Sequence, residues 1–375
     1  MKVWSYYNPT KVFFGRGCLK KVKNAVDFFR PKKVMLVTGK RSMKKLGITD
    51  RIIGYLEDYD VILYNEAKQN PDTNTVKRGI RLLKKEKCDL VIGLGGGSAI
   101  DTAKAISILA KNNGPIEEYL YGHREIIRNG YPVIAIPTTA GTGSEVTRYA
   151  SIVDEKRKLK LSLTHEYIHP NIAIVDPTLT ITLPKFLTAI TGLDALSQCI
   201  EAYWSKNHTP ISDIFALKGI ELISKNLVNA YNYPENIEFR EKMALASMFS
   251  GMAIDVAKTT IVHSVSYPLT VHFGVPHGLA CSLTLTSFMK YNSKVAEDRI
   301  LEISRILNLG SIEECIEKIE EIILKLKVPR KLSEVGIQKK DIETIVEKGF
   351  RPDRAINNPR KVTKKDLKII LEELL

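Results

Sequence analysis

Short apolar runs punctuate the first half of the chain at fairly even intervals. They fall at 34–37, 61–64, 89–94, 133–136 and 173–176, the last closed by Pro177. Between them lie stretches whose apolar residues recur at helical spacing, at 43–59, 73–86 and 99–112. Continuous apolar strands separated by amphipathic helices predict a parallel sheet covered on both faces. After Leu183-Pro184 the texture changes and helical periodicity dominates, as at 211–229 and 312–326. The pattern therefore predicts an α/β dinucleotide-binding domain over 1–183 and an all-helical domain over 184–375.

Composition adds limits to this picture. With 375 residues the chain is too long for a single core. Its net charge is +14, but the cations are interleaved with acids, as in Lys318-Ile319-Glu320-Glu321. That pattern describes a solvated exterior rather than a nucleic-acid surface, with a residual pull on anionic cofactors and substrates. No apolar run reaches the roughly 18–20 residues of a membrane span, and the first residues lack the charged head and apolar core of a signal peptide. A cytoplasmic protein is the expectation. The five cysteines are an odd number and form no CxxC pair, which predicts reduced, mostly buried thiols.

Two glycine-rich segments carry the first chemistry. Gly93-Leu94-Gly95-Gly96-Gly97-Ser98 follows a strand and opens a helix, where bare backbone and the first helical N–H groups suit a phosphate. Ser98 is expected to cap that helix and Asp101 to sit in its first turn. The second segment, Pro137 to Thr147, follows the next strand and supplies small hydroxyls and glycines. Loops at the carboxyl ends of neighbouring parallel strands share one crevice in open α/β sheets.

The helical half offers metal chemistry. Asp194 and Gln198 stand four apart on one predicted helix and so share a face. His263 and His277 follow, the latter in a Pro276-His277-Gly278 turn. A carboxylate, an amide oxygen and two imidazoles suit Fe²⁺ or Zn²⁺.

Together, Gly95-Gly96-Gly97-Ser98 with Asp101 and Lys104, Pro137-Thr138-Thr139, Gly141-Thr142-Gly143-Ser144-Glu145, Asp176-Pro177, the Asp194 helix, His263, Pro276-His277-Gly278 and Asn357-Asn358-Pro359-Arg360 resemble the iron-containing alcohol dehydrogenases over nearly the whole chain. The resemblance implies a dehydroquinate-synthase-like fold, a homodimer, and hydride transfer between NAD(P)H and a small aldehyde or primary alcohol held at a metal. It implies Asp194, His263 and His277 as metal ligands, with Gln198 where the family usually has a histidine. Lys160 resembles the family's cofactor-contacting lysine. The implied cofactor contacts are Gly95, Gly96, Gly97, Ser98, Asp101, Thr138, Thr139, Thr142, Ser144 and Lys160, and the catalytic residues are His277 and Tyr267. Tyr267 stands where many members carry a histidine, and a phenol is a poor base at neutral pH.

Two finer expectations follow. The segment Val37-Thr38-Gly39-Lys40-Arg41 lacks the ribose-binding aspartate common in the family. Gly39 with Lys40 therefore favours NADP over NAD. The runs Asp194 to Gln198, Lys258-Thr259-Thr260 and Ser266 to Thr270 resemble a branch that includes phosphonoacetaldehyde reductases, a reading that fits the basic excess. A dehydroquinate-synthase-like cyclase, a glycerol-1-phosphate dehydrogenase and a nucleic-acid binder are the alternatives.

Overall fold

The computed structural model describes residues 3–375. They form two units, one spanning Tyr7–Thr139 and Ser144–Thr180, the other the first residues up to Tyr6, Ala140–Gly143 and Ile181–Leu375. The division falls at Thr180/Ile181, close to the composition change, but the short segment Ala140–Gly143 groups with the helical unit.

The first unit is built on a six-stranded sheet. Its strands are β1 (Lys11–Phe14), β2 (Lys33–Gly39), β3 (Asp60–Ala67), β4 (Leu90–Gly95), β5 (Val133–Pro137) and β8 (Ile172–Val175), in the order β1-β8-β5-β4-β2-β3. Every pairing is parallel. The period of two sorts the side chains onto two cores. Val34, Leu36, Leu90, Ile92 and Leu94 pack on one face, and Met35, Val37 and Val91 on the other. Each such burial contributes about 1.5–3 kcal/mol, so the sheet is fixed in register on both sides. An antiparallel hairpin, β6 (Tyr149–Asp154) with β7 (Leu159–Thr164), lies beside it in sequence between β5 and β8.

The helix 73–86 forms as the pattern predicts, capped by Asp72, whose carboxylate accepts from Thr75 N at 2.6 Å. The stretch 43–59 does not form one helix. Gly47 takes the left-handed conformation at φ +69° and splits it into Ser42–Lys45 and Ile48–Tyr55. Strand β1 and the β6–β7 hairpin went unmarked in the hydrophobic pattern, because β1 is half-exposed and the hairpin alternates with polar residues.

The helical unit contains α2 (Lys185–Trp204), α3 (Pro210–Asn232), α4 (Ile237–Ala257), α5 (Ile261–Phe273) and α6 (His277–Ser293), numbered after α1 (Gly97–Lys111) of the first unit. Helix α2 runs through its middle, and every residue from Gly192 to Trp204 is buried. The chain turns from α4 into α5 through Lys258 at φ +61°, and from α5 into α6 through Gly274 at φ +70°. Among the described residues no single helix is long and apolar enough to cross a membrane.

A buried polar network braces the second glycine-rich segment. Lys104 of α1 is fully buried and donates to the carbonyls of Ser144 (2.9 Å) and Thr147 (2.7 Å). Between these anchors, burial pushes the Glu145 carboxyl up to about 7, against its backbone hydrogen bond and Lys104. A carboxyl whose pKa rises on folding binds its proton more tightly in the folded chain. Its contribution is therefore most favourable at acid pH and is lost as pH rises from the ordinary carboxylate range towards about 7. Thermal melts across that window should fall in midpoint for the wild type and stay flatter for Glu145→Gln. The difference at pH 8 is on the order of 3 kcal/mol, and parallel curves for the two proteins would refute the assignment.

Candidate active site

In the α/β unit the turns after β2, β4 and β5 emerge at the same edge of the sheet, since Thr38 pairs with Leu94 and Gly95 with Pro137. Helix α1 begins at Gly97 with Gly96 as its N-cap, and no side chain caps it. Ser98 therefore lies inside the helix instead of capping it, and its hydroxyl accepts from Asn70 N at 3.3 Å. The start of a 15-residue helix is thus left with its backbone donors and dipole facing outward. The glycines are sterically required: a Cβ on Gly93 would sit 2.9 Å from Ala103 Cβ, and Gly95 has φ +142° with a Cβ 2.9 Å from Ala99. A Cβ on Gly96 would crowd Thr139 at 3.3 Å, so the two loops touch. Thr138 is tied to the first loop by its N–H donating to Gly95 O at 3.0 Å.

Asp101 also departs from expectation. It lies beyond the first turn of α1, where no acidic residue stands, and its carboxylate accepts from the Ser144 hydroxyl and from Ser151 N (2.9 Å). It braces the second loop rather than the helix dipole. Lys160 on β7 is nearly buried and reaches Asn70 Oδ1 at 3.4 Å, the residue that also touches Ser98. Gly39 ends β2 with only Ala67 O near the position of a Cβ (3.7 Å), so packing does not demand glycine there. Lys40 and Arg41 are exposed beside it. Thr142 belongs to the segment that groups with the helical unit, whereas Ser144 stays with the sheet.

In the helical unit, Asp194, His263, His277 and Cys281 each place a donor atom within 4.8 Å of all the others. Asp194 Oδ1 lies 3.5 Å from His263 Nε2 and 3.8 Å from His277 Nε2. Backbone packing sets this closeness. A Cβ on Gly278 would strike the Ile190 carbonyl of α2, so glycine there lets the first turn of α6 lie directly on α2 and brings His277 beside Asp194. The His263 side chain is 5% exposed and its Nε2 has no hydrogen-bond partner among the described residues. His277, 22% exposed, forms the open side of the cluster.

Glu201, unmarked in the sequence reading, orients this group. It lies seven residues after Asp194, on the same face of α2 and fully buried. One carboxylate oxygen accepts from the N–H groups of Thr260 and Val262, both at 2.9 Å, and from the Thr260 hydroxyl. The other is hydrogen-bonded to His263 Nδ1. Glu201 thereby serves the exposed donors at the start of α5 and fixes the His263 tautomer, leaving Nε2 as the free ligand atom. Burial works against a charged His263, but Cys281, Glu201 and Asp194 outweigh it and hold the imidazole well above its ordinary pKa. Gln198 Oε1 accepts from the Ser250 hydroxyl at 2.9 Å, which engages one of its two lone-pair directions.

Tyr267 is buried with its ring 5.9 Å from that of His277. Two guanidinium groups stand over the same tyrosine ring, Arg354 at 5.0 Å and Arg351 at 5.6 Å. Of the expected metal residues, the structure thus groups Asp194, His263 and His277, sets Tyr267 beside them, and adds Cys281 and Glu201. A polar stripe at 194, 198 and 201 on an otherwise apolar helix was the available signal for Glu201. The i, i+4 relation of His277 to Cys281 was the one for Cys281.

The Glu201 arrangement predicts that Glu201→Gln lowers divalent-cation affinity about 10–100-fold, the usual range for a partner that orients a ligand, while the chain stays folded. Metal titration of the purified variant checks this, and wild-type affinity would contradict it.

Known proteins resemble this chain throughout. Residues 9–177 match the iron-containing alcohol dehydrogenase profile and residues 188–375 that of the Fe-containing alcohol dehydrogenase family, C-terminal. Alcohol dehydrogenase 4 of Schizosaccharomyces pombe is 34% identical over 383 residues, covering 100% of this chain and 90% of that protein. The NAD-dependent methanol dehydrogenase of Bacillus methanolicus is 33% identical, covering 99% of this chain and 100% of that protein. The crystal structure of sulfoacetaldehyde reductase from Bifidobacterium kashiwanohense in complex with NAD+ superposes with a TM-score of 0.94 at 33% identity, covering 100% of this chain and 99% of that one. With both halves matched in order and relatives aligned from end to end, the chain belongs to the iron-containing alcohol dehydrogenase family.

Proposed function

We propose that the protein is an NAD(P)-dependent oxidoreductase that interconverts small aldehydes and primary alcohols at a divalent metal held by Asp194, His263 and His277. The observation that carries this reading is the convergence of those three donors, with the buried Nε2 of His263 aimed into the group and its Nδ1 fastened by Glu201. A carboxylate with two imidazoles suits Fe²⁺ or Zn²⁺. The bound metal supplies a Lewis acid for the substrate oxygen, and the nicotinamide supplies or accepts the hydride.

The chain's own residues account for binding and orientation. The uncapped start of α1 with Gly95, Gly96, Gly97 and Ser98 receives the cofactor's pyrophosphate. Thr138 and Thr139 offer hydroxyls to its nicotinamide half, while Lys160 offers a cation. At the adenosine end, Gly39 leaves a 2′-phosphate unopposed and Lys40 or Arg41 attracts it, which favours NADP(H). Tyr267, against His277, is placed to hydrogen-bond the substrate oxygen.

A second reading of substrate class has its own observation. Arg351 and Arg354 both stand over Tyr267, and guanidinium groups suit an anionic head group. Likeness to a sulfoacetaldehyde reductase points the same way, so phosphonoacetaldehyde and related anionic aldehydes join the candidate substrates.

The test is a panel of propanal, sulfoacetaldehyde and phosphonoacetaldehyde, assayed with NADH and NADPH after loading with Fe²⁺ or Zn²⁺. His277→Ala should remove bound metal and cut kcat/KM at least about 100-fold, some 2.7 kcal/mol of barrier. Full turnover by metal-free His277→Ala would reject the metal reading. Gly39→Asp should shift the NADPH-to-NADH preference towards NADH by about tenfold or more, ~1.4 kcal/mol. An unchanged ratio would place the 2′-phosphate elsewhere.

A further inference from the structure

We infer that Cys281 ligates the metal of this centre as a thiolate, taking the fourth position that Gln198 would otherwise fill. The inference rests on the reading that the cluster holds a metal. The coordinating set is then Asp194, His263, His277 and Cys281, a mixed carboxylate, imidazole and thiolate site.

Geometry is the first ground. Tetrahedral bonds of ~2.0–2.1 Å to nitrogen or oxygen and ~2.3 Å to sulfur set donor atoms roughly 3.3–3.6 Å apart. Asp194 already stands 3.5 Å and 3.8 Å from the two imidazole nitrogens, and the sulfur lies within 4.8 Å of all three. His277 and Cys281 are i and i+4 on α6, so one helical face delivers both, as one face of α2 delivers Asp194. Gln198 is on that α2 face too, but its oxygen accepts from Ser250.

A comparison inside the chain is the second ground. Cys199, Cys281 and Cys315 are all completely buried, and a buried cysteine is ordinarily a small apolar residue. Cys199 and Cys315 have nothing ionisable acting on them, whereas Cys281 faces His263, Asp194 and Ser266. Only this thiol among the three sits where a cation would be. Metal uptake breaks its S–H bond, releases the proton to solvent and forms a sulfur–metal bond, with no change in oxidation state. Such a site favours zinc, cobalt or cadmium over hard cations such as magnesium.

Cobalt(II) gives a readout independent of turnover. Cobalt-loaded protein should show a sulfur-to-cobalt charge-transfer band in the near ultraviolet. Cys281→Ser should abolish that band while still binding cobalt, and Gln198→Ala and Cys315→Ala should keep it. Cobalt bound without the band, or a band that survives Cys281→Ser, overturns the inference and leaves the metal centre standing. No cobalt bound at all, by equilibrium dialysis, overturns both. Should Cys281→Ser fail to fold, X-ray absorption of the zinc-loaded wild type decides: one sulfur at about 2.3 Å supports the inference, and a shell of only nitrogen and oxygen rejects it.

Discussion

The helical unit is organised around the burial of two carboxylates on α2. Asp194 is 3% exposed and Glu201 not at all. Taking an ionised carboxylate out of water costs several kcal/mol even after relaxation, so each needs dedicated partners. Glu201 has them in full: two backbone N–H groups, a hydroxyl and the His263 ring. Because those N–H groups belong to the N-cap residue and the first turn of α5, the same contacts that stabilise the carboxylate also fix where α5 begins. His263 is the third residue of that helix. Its position is therefore a consequence of how a buried charge is satisfied.

Asp194 is compensated differently. It faces two imidazole nitrogens and a sulfur in a group whose field favours a cation. A fold stabilised only by packing gains nothing from such a group, since apolar residues of similar volume are as good or better. The cost is understandable when the site holds a cation. In the α/β unit the corresponding investment is steric. Gly93 and Gly95 give up side chains to let α1 close on β4, and Lys104, buried and bonded to two carbonyls, holds the neighbouring loop.

How much of this was legible in the sequence depends on the range of the interaction. Strands β2 to β5 and the helix Thr73–Glu86 announced themselves because their periodicity is local and their caps, such as Asp72, lie next to them. Likewise the glycine loops could be placed because strand, glycine and helix are contiguous. The break at Gly47 was missed because Lys44, Lys45 and Leu46 continue a helical pattern through a residue whose left-handed turn only the backbone reveals. The apolar pattern puts Ser98 at the cap because it begins two residues after the helix itself does. Of the metal cluster, Asp194, His263 and His277 could be named, since they are conspicuous residue types. Glu201 and Cys281 carry only weak local signals, because their meaning depends on α5 and α6 folding back onto α2 across some 60 to 90 residues of chain.

Gln198, Cys281 and the arginines at Tyr267 are better understood together than singly. Gln198 replaces the family's usual imidazole by a weaker amide oxygen, which accepts from the Ser250 hydroxyl. A cluster that lacks a strong ligand keeps its affinity only if another donor approaches, and the Cys281 thiol lies within 4.8 Å of the donor atoms of Asp194, His263 and His277. A thiolate brings more negative charge to the ion than an imidazole does and weakens its pull on a substrate oxygen. A site weakened as a Lewis acid benefits from cationic groups elsewhere around the substrate. Arg351 and Arg354 stand over Tyr267, whose ring is 5.9 Å from that of His277. On the proposed assignments, the softer metal set and the arginine pair would be two parts of one adjustment, with binding energy moved from the carbonyl oxygen to the far end of an anionic substrate.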